Sequence, residues 1–322
     1  MAPDARPYDT GMRFGAAFWI QRTDWPALRD AALAAESAGF DSLWFDDHLL
    51  SDEGDWQSPK LEGWTSLAAL AALTTTSRLG LLVAANTFRN PGLTAKMAAT
   101  LDHISGGRLI LGLGGGWFGR EHEALGLDFG SGFGERLDRL EEAVGIIERL
   151  LAGERVTFDG RFYHLADAFC EPPPLQARLP ILIGGSGREK TLRTTARHAD
   201  LWNGYGTPAR IAETSEVLRE RCAEIGRPYE SIRRTVMTEL VIRETAASAR
   251  AAFEGIEEGH GIRGRIGADG TPRGLAAGGP PSAVAEFLRP YVELGIDEVI
   301  WVFRSPFDLE TIARLAEVRA AL

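Results

Sequence analysis

The chain has 322 residues, of which 44% are hydrophobic, and its formal net charge is −10. That length fits one large α/β barrel, while the acidic balance argues against nucleic acid or an anionic membrane surface as a partner. Two cysteines, Cys170 and Cys222, are too few for a disulfide framework, and no apolar run reaches the length of a membrane span. We expect a soluble, cytoplasmic protein without a signal segment. It would have a flexible N-terminus (1–11) and a single domain (12–322).

Short β-like apolar runs alternate with amphipathic helical segments along the chain. The sequence predicts strands at 13–18, 42–45, 79–84, 108–113, 181–183, 201–203, 234–242 and 298–303. It predicts helices at 24–38, 64–76, 91–104, 135–152, 187–198, 208–224, 244–254, 281–294 and 307–321. Eight strands, each followed by a helix, is the number that closes a (β/α)8 TIM barrel, and this is the predicted fold class.

Two segments interrupt the alternation of strands and helices. Residues 155–165 (RVTFDGRFYHL) alternate in polarity around an Asp-Gly pair, which predicts a β-hairpin inserted before the fifth strand. Residues 254–281 are rich in glycine and are not expected to form a packed element. They are interpreted either as a disordered surface loop or as a mobile lid over the site.

The fourth predicted strand ends in a glycine-rich turn, GLGGGW (112–117), which begins a G-x-G-x-x-G spacing. A Rossmann dinucleotide site needs that spacing after its first strand, with an acidic residue about 20 positions later. Here the turn follows the fourth strand, and the acids at that distance, Glu141 and Glu142, lie in a helical pattern. We therefore favour the mouth of a barrel, where bare backbone at Gly114 would let a flat ring approach.

A second glycine turn, ILIGGSGREKTL (181–192), ends the fifth predicted strand and opens a helix. The backbone amides of Gly185, Ser186 and Gly187 at that helix start predict an anion site. Ser186 could equally be the helix cap, which requires no ligand. A planar, phosphorylated cofactor would use both glycine turns.

Tryptophans cluster near the ends of predicted strands. Trp19, Trp117 and Trp202 fall on the rim where the glycine turns lie, whereas Trp301 within VIWVF is expected to be core. Several indoles around one mouth indicate a pocket for a large flat ligand. Phe18, Trp19 and Trp117 are the predicted substrate-pocket residues.

Long ordered motifs carry a resemblance to a known family. Residues 62–117, which begin EGWTSL and end GLGGGW, resemble the bacterial luciferase-like monooxygenase superfamily, and most of all the branch that uses the deazaflavin coenzyme F420. Residues 180–203 and the hairpin at 155–165 are similar to the same branch. The resemblance runs from about residue 12 to the end, and it implies a TIM barrel with the flavin across its C-terminal mouth, often as a homodimer.

The resemblance also implies which residues form the site. WFDDHLL (44–50) is similar to the family segment in which an Asp-His pair faces the cofactor, so Asp47 and His48 are the implied catalytic residues. LLVAAN (81–86) is similar to a strand end where a bulge with a non-prolyl cis peptide backs the central ring. The implied cofactor-binding residues are Leu82, Val83, Ala84, Gly114, Gly115, Gly184, Gly185, Ser186 and Gly187.

His48 is the residue best suited to proton exchange. An imidazole at a strand end can be oriented by an adjacent carboxylate and titrates near neutral pH. Asp47 or Asp46 could be the orienting acid, and the alternative is that His48 only bonds a loop carbonyl. Glu62 is expected to cap the following helix, and Arg89 to pair with a loop acid or with an acidic cofactor tail.

The remaining histidines carry no predicted site. His103 precedes the fourth strand, at the opposite end of the barrel, and is expected to be structural. His122 and His164 are too far apart in the sequence to suggest a metal, and no spacing resembles a zinc set.

One departure from the family pattern bears on the substrate. Relatives that oxidise a sugar phosphate carry a glutamate proton donor just after the strand-four glycines, whereas this chain has Trp117 there. The expected function is hydride transfer between coenzyme F420 and a small organic substrate. The alternatives are an FMN-dependent monooxygenase that uses reduced flavin and O2, and a flavin-binding protein without turnover.

Overall fold

The computed structural model describes residues 11–261 and 276–322, and in that part of the chain eight parallel strands close into a barrel. The barrel order is β1-β2-β3-β5-β8-β9-β10-β12, and β12 pairs with β1 to complete it. The predicted (β/α)8 fold is confirmed. The strands are β1 Arg13–Phe18, β2 Ser42–Phe45, β3 Arg78–Leu81, β4 Ala84–Ala85, β5 Leu109–Gly114, β6 Val156–Asp159, β7 His164–Ala168, β8 Ile181–Gly184, β9 Leu201–Gly204, β10 Arg233–Ile242, β11 Ala276–Gly279 and β12 Glu298–Phe303.

Helices surround the barrel at each of the predicted places. They are α1 Trp25–Ala38, α2 Gly63–Leu73, α3 Pro91–Ser105, α4 Gly119–Leu125, α5 Phe133–Leu151, α6 Thr191–His198, α7 Pro208–Glu224, α8 Ala246–His260, α9 Pro281–Glu293, α10 Leu309–Ala313 and α11 Leu315–Ala321, with 3-10 turns at Asn86–Phe88 and Tyr229–Ser231. Helix α4 was not predicted, and α10 and α11 were predicted as one helix over 307–321. No helix in the described ranges is long and apolar enough to cross a membrane.

The two faces of each barrel strand pack in different layers. Ala17 belongs to the cluster inside the barrel, and Trp19, just beyond β1, packs on that cluster. Phe18 points the other way and is fully buried between barrel and helices, where its ring stacks on Phe303 at 5.5 Å. Because successive strand residues point to opposite faces, the prediction that Phe18 lines the substrate pocket is wrong.

The two predicted insertions have different outcomes. The hairpin is confirmed, since β6 and β7 pair antiparallel. The glycine-rich segment is partly packed, contrary to prediction: α8 continues to His260, and β11 pairs with Glu239–Ile242 of β10. Isolated glycines cost a helix only about 1 kcal/mol each, and the end of α8 is held by the contact of the His260 ring with the carbonyl of Ser305 and by the left-handed cap at Gly261. Residues 262–275, on which the rest of the lid hypothesis depends, and residues 1–10 lie outside the described residues.

Candidate cofactor and catalytic site

Four segments meet at the rim formed by the carboxyl ends of the barrel strands, where barrel enzymes place their sites. They are the loop after β2 (46–62), the segment between β3 and α3 (82–90), the loop after β5 with α4 (115–125), and the turn after β8 (185–190). Every predicted site residue except Phe18 and Trp19 lies in these segments or in the strand ends that lead into them.

Asp47 is a buried anchor immediately beyond β2. Its carboxylate accepts hydrogen bonds from Arg89 at 2.6 and 3.0 Å and from the backbone amide of Ala85 at 3.0 Å. Burial raises the pKa of Asp47 to about 6, against the opposing charge of Arg89, so the carboxylate is still ionised at neutral pH. Asp47 therefore connects the end of β2 to the end of the third barrel strand.

Arg89 bridges Asp47 and a second acid, Glu62. Its Nη2 lies 3.0 Å from a Glu62 oxygen, so the expected pairing of Arg89 with a loop acid is confirmed. Glu62 also accepts from the amides of Trp64 and Thr65 at the start of α2, which is the predicted cap. These hydrogen bonds outweigh partial burial and lower the pKa of Glu62.

His48 is held by acids that its immediate sequence does not suggest. Its Nδ1 lies 3.0 Å from Oε1 of Glu121, and its Nε2 lies 3.7 Å from Oδ2 of Asp52. Burial disfavours the charged imidazole, but the Glu121 hydrogen bond and the negative charges of Asp52 and Asp46 outweigh it and raise the pKa of His48. His48 therefore holds a proton at a higher pH than an ordinary histidine does.

The expected orientation of His48 by Asp47 or Asp46 is wrong. Asp47 is engaged by Arg89, and Asp46 accepts from the amide of Ile20 at 3.0 Å and pairs with the ammonium of Lys60. The orienting acid, Glu121, lies 73 positions away in the chain. In the sequence, Glu121 is distinguished only as the first acid after the glycine turn at 112–117.

Aromatic side chains surround His48. The ring centroid of Trp117 lies 5.2 Å and that of Phe118 5.8 Å from the imidazole, both edge-to-face. Trp117 is 60% exposed, so this wall faces the opening of the barrel. The predicted role of Trp202 at the mouth is wrong: its indole is fully buried and donates to the carbonyl of Gly185 at 2.8 Å. Trp301 is core, as predicted.

The implied bulge is present at the end of the third barrel strand, with a cis peptide bond between Leu82 and Val83. Val83 is half-buried and lies across the inner faces of the neighbouring strands. A Cβ added at Gly114 would lie 2.6 Å from one Val83 methyl group, and one at Gly184 would lie 2.9 Å from the other. The absence of side chains at these two glycines thus leaves room for Val83. An apolar side chain, Val83, lies at the place where the sequence predicted bare backbone.

Two further predicted cofactor residues face elsewhere. A Cβ at Gly115 would lie 3.0 Å from Leu137 of α5, so its missing side chain accommodates the surrounding helix layer. Ala84 is buried and pairs with Leu113 of β5. Both residues therefore contribute to the packing of the rim.

The turn after β8 carries the three backbone amides that were predicted to bind an anion. The amide of Gly185 donates a hydrogen bond to the carbonyl of Asn203 at 3.1 Å. Within residues 11–261 and 276–322, the amides of Ser186 and Gly187 donate no hydrogen bond. Ser186 does not cap the helix, because α6 begins at Thr191. Two available amides beside an apolar platform suit a planar cofactor with a phosphate.

Metal ligation has no candidate in the part of the chain that the structure describes, where no group of three or more His, Cys, Asp or Glu side chains could hold an ion. His103 contacts the carbonyl of Pro173 at 2.7 Å, a structural contact as expected. His164 pairs with Asp159 on the exposed hairpin.

Comparison with known proteins places this geometry in a family. Residues 12–298 match the sequence model described as luciferase-like monooxygenase. An F420-dependent glucose-6-phosphate dehydrogenase of Microbacterium testaceum (strain StLB037) is 39% identical over 200 residues, which cover 61% of this chain and 56% of that protein. The pyrimidine monooxygenase RutA of Stutzerimonas stutzeri (strain A1501) is 34% identical over 205 residues, covering 62% and 55%. The matched segments thus span about half the length of these curated relatives.

A solved structure extends the likeness over the whole barrel. An F420-dependent secondary alcohol dehydrogenase in complex with an F420–acetone adduct superposes with a TM-score of 0.83 at 19% identity, over 96% of this chain and 98% of that chain. At 19% identity, this similarity shows a shared fold only. Since the family model matches nearly the full length of the barrel, the chain belongs to the luciferase-like monooxygenase family of oxidoreductase enzymes.

Proposed function

We propose that this protein is a coenzyme F420-dependent oxidoreductase that transfers a hydride between the deazaflavin and a small organic substrate. The observation that carries the proposal is His48, a histidine with a raised pKa on the same rim as the Val83 surface. The available amides of Ser186 and Gly187 would receive the cofactor phosphate. The F420-dependent relative at 39% identity supports this choice of cofactor.

When bound, the deazaflavin would supply the carbon that accepts or gives the hydride. His48 would hold or receive the accompanying proton, because its pKa is raised and its ring is fixed by Glu121. Trp117 and Phe118 would cover one side of the substrate and limit the access of water.

The aromatic wall favours an uncharged substrate with a carbonyl, an imine or an activated double bond. Trp117 stands where sugar-phosphate-oxidising relatives are expected to carry an acid. The next acid, Glu121, is 1% exposed and engaged with His48, which leaves it little access to a substrate. We therefore do not propose a sugar phosphate as the substrate, although the Microbacterium testaceum relative is named as a glucose-6-phosphate dehydrogenase.

A second candidate is an FMN-dependent monooxygenase that uses reduced flavin and O2, which the 34% identity to a pyrimidine monooxygenase favours. Parallel titrations of the apoprotein with F420 and FMN, each oxidised and reduced and followed by cofactor fluorescence, separate the two. Preferential F420 binding, with anaerobic reduction or oxidation of a carbonyl or alcohol panel, would support the proposal. Preferential binding of reduced FMN with substrate-dependent O2 uptake would replace it.

The role of His48 is tested with a substitution. His48→Ala should lower turnover by about 10²- to 10⁴-fold, the usual contribution of a general acid or base, while cofactor affinity stays within a few-fold. His103→Ala, whose ring lies at the opposite end of the barrel, is the matched control and should leave both unchanged. If affinity collapses and turnover per bound cofactor survives, His48 is a binding residue instead.

Homodimer assembly, cytoplasmic location and a single domain over residues 12–322 remain predictions of the sequence analysis. Analytical ultracentrifugation of the full chain at several concentrations tests the first. Limited proteolysis tests the last, because a single domain should yield one resistant fragment beginning close to residue 12.

A further inference from the structure

We propose that Glu121 is a positioning residue that holds His48 by Nδ1 and leaves Nε2 as the nitrogen that exchanges a proton with the substrate. The substrate half of this statement rests on the proposed function. The orientation of the imidazole does not, and it can be measured in the protein without any cofactor.

Both carboxylate oxygens of Glu121 are engaged, one with His48 and the other with Leu49. Oε1 lies 3.0 Å from Nδ1 of His48, and Oε2 accepts from the backbone amide of Leu49 at 2.8 Å. The residue is 1% exposed. Rotation of the carboxylate would leave a buried donor unpaired, which is unfavourable. Glu121 therefore has one well-defined geometry.

The helix that carries Glu121 is itself anchored, through His122. Its Nδ1 lies 2.9 Å from the carbonyl of Phe118, and its Nε2 lies 2.7 Å from the hydroxyl of Thr87. Its ring centroid lies 4.4 Å from that of Phe129. These contacts connect α4 to the segment that follows the cis peptide, so the position of Glu121 is fixed relative to the proposed cofactor platform.

The two nitrogens of His48 have unequal surroundings. An ionised carboxylate can only accept, so Nδ1 carries a hydrogen toward Glu121. Nε2 is 3.7 Å from Asp52, beyond a direct hydrogen bond. Among the described residues Nε2 has no hydrogen-bond partner, so it is the nitrogen that can act as an acid when protonated and as a base when neutral.

In the part of the chain that the structure describes, the charges that face His48 come from two elements. Glu121 lies on α4, and Asp52 and Asp46 lie on the loop after β2. Lys60, on the same loop, pairs with both aspartates and partly neutralises them. Glu121 is thus the carboxylate in direct contact with the ring, and its removal should affect His48 more than removal of any other acid.

The test is ¹⁵N NMR of histidine-labelled apoprotein across a pH titration, with His48→Ala used to assign the signal. The wild type should show the hydrogen of neutral His48 on Nδ1. Glu121→Gln should lower the pKa of His48 by about one unit or more, since an opposite charge in contact shifts a pKa by about 1–3 units. Glu123→Gln, on the same helix but exposed, should change neither quantity.

Two results would overturn the assignment. One is a neutral His48 in the wild type that carries its hydrogen on Nε2, a measurement that needs no variant and so survives a Glu121→Gln protein that does not fold. The other is a folded Glu121→Gln protein in which His48 titrates as in the wild type.

Failure of the proposed function has a different signature. If the protein does not bind F420 but the NMR result holds, the positioning role stands and the cofactor assignment falls. If F420 binds and turns over, Glu121→Gln should move the pH profile of kcat in step with the NMR pKa while cofactor affinity is unchanged. A uniform loss of kcat with an unmoved profile would contradict the positioning role.

Discussion

Removal of the Arg89 guanidinium should destabilise the protein strongly, and in a pH-dependent way. The perturbation is Arg89→Met, which approximates the apolar stem of the arginine but leaves Asp47 without its cationic partner. Asp47 is 3% exposed, and two of its three hydrogen bonds come from Arg89. Because a buried charge would lose its compensation, we expect a loss of about 3–5 kcal/mol in the free energy of unfolding at pH 8.

The pH dependence follows from the carboxylate. In the wild type the pKa of Asp47 is raised to about 6, and without Arg89 it should rise further. As the pH falls from 8 through the further raised pKa, the folded Arg89→Met variant takes up a proton at Asp47, whereas its unfolded chain does not. The difference in the free energy of unfolding between the wild type and the variant should therefore become smaller. The contact of Arg89 with Glu62, whose side chain is 37% exposed, contributes little to this total.

Urea unfolding followed by tryptophan fluorescence at pH 8 and pH 5.5 measures these quantities. Arg149→Met, which removes an exposed arginine paired with Glu154, is the control and should stay within about 0.5 kcal/mol of the wild type. Asp47→Asn should recover part of the loss in the Arg89→Met background, because it removes the uncompensated charge. A loss equal to that of the control, or one independent of pH, would refute the reasoning.

Two further predictions concern the barrel interior. Gly184→Ala should weaken cofactor binding at least about tenfold, or 1.4 kcal/mol, since its Cβ would lie 2.9 Å from a Val83 methyl group. Fluorescence titration checks this against Gly255→Ala, whose Cβ would meet no atom of the described residues within 4 Å, and unchanged affinity would contradict the role of Val83. Glu298→Gln should be at least as stable as the wild type at pH 8, because burial raises the pKa of Glu298 above its usual range and ionisation there opposes folding. As the pH falls toward 5, the wild type should gain stability relative to this variant in urea unfolding; a constant difference would show that Glu298 does not titrate with folding.

Much of the architecture could be read from local patterns. The eight barrel strands, the hairpin at β6 and β7, and the Glu62 cap each depend on residues close together in the chain. The cis peptide at Leu82–Val83 was implied by resemblance. The prediction for residues 254–261 was wrong because their glycines disfavour a helix, whereas the tertiary contacts that hold the end of α8 cannot be read from the sequence.

The direction of Phe18 illustrates a limit of pattern reading. Strand alternation says that Ala17 and Phe18 point to opposite faces, but both faces of a parallel barrel strand are buried and apolar. Nothing in RFGAAF tells which residue enters the barrel. Only closure of the sheet assigned Ala17 to the interior and Phe18 to the helix layer.

The sequence by itself determined the (β/α)8 plan and the rim on which the site lies, because strand and helix periodicity and glycine turns are local properties. The tertiary structure alone decided which side chains meet at that rim. His48 contacts Glu121, and Asp47 contacts Arg89. Val83 lies against Gly114 and Gly184. Those contacts join residues from different βα units, and their geometry exists only once the barrel has closed and brought the ends of its strands together.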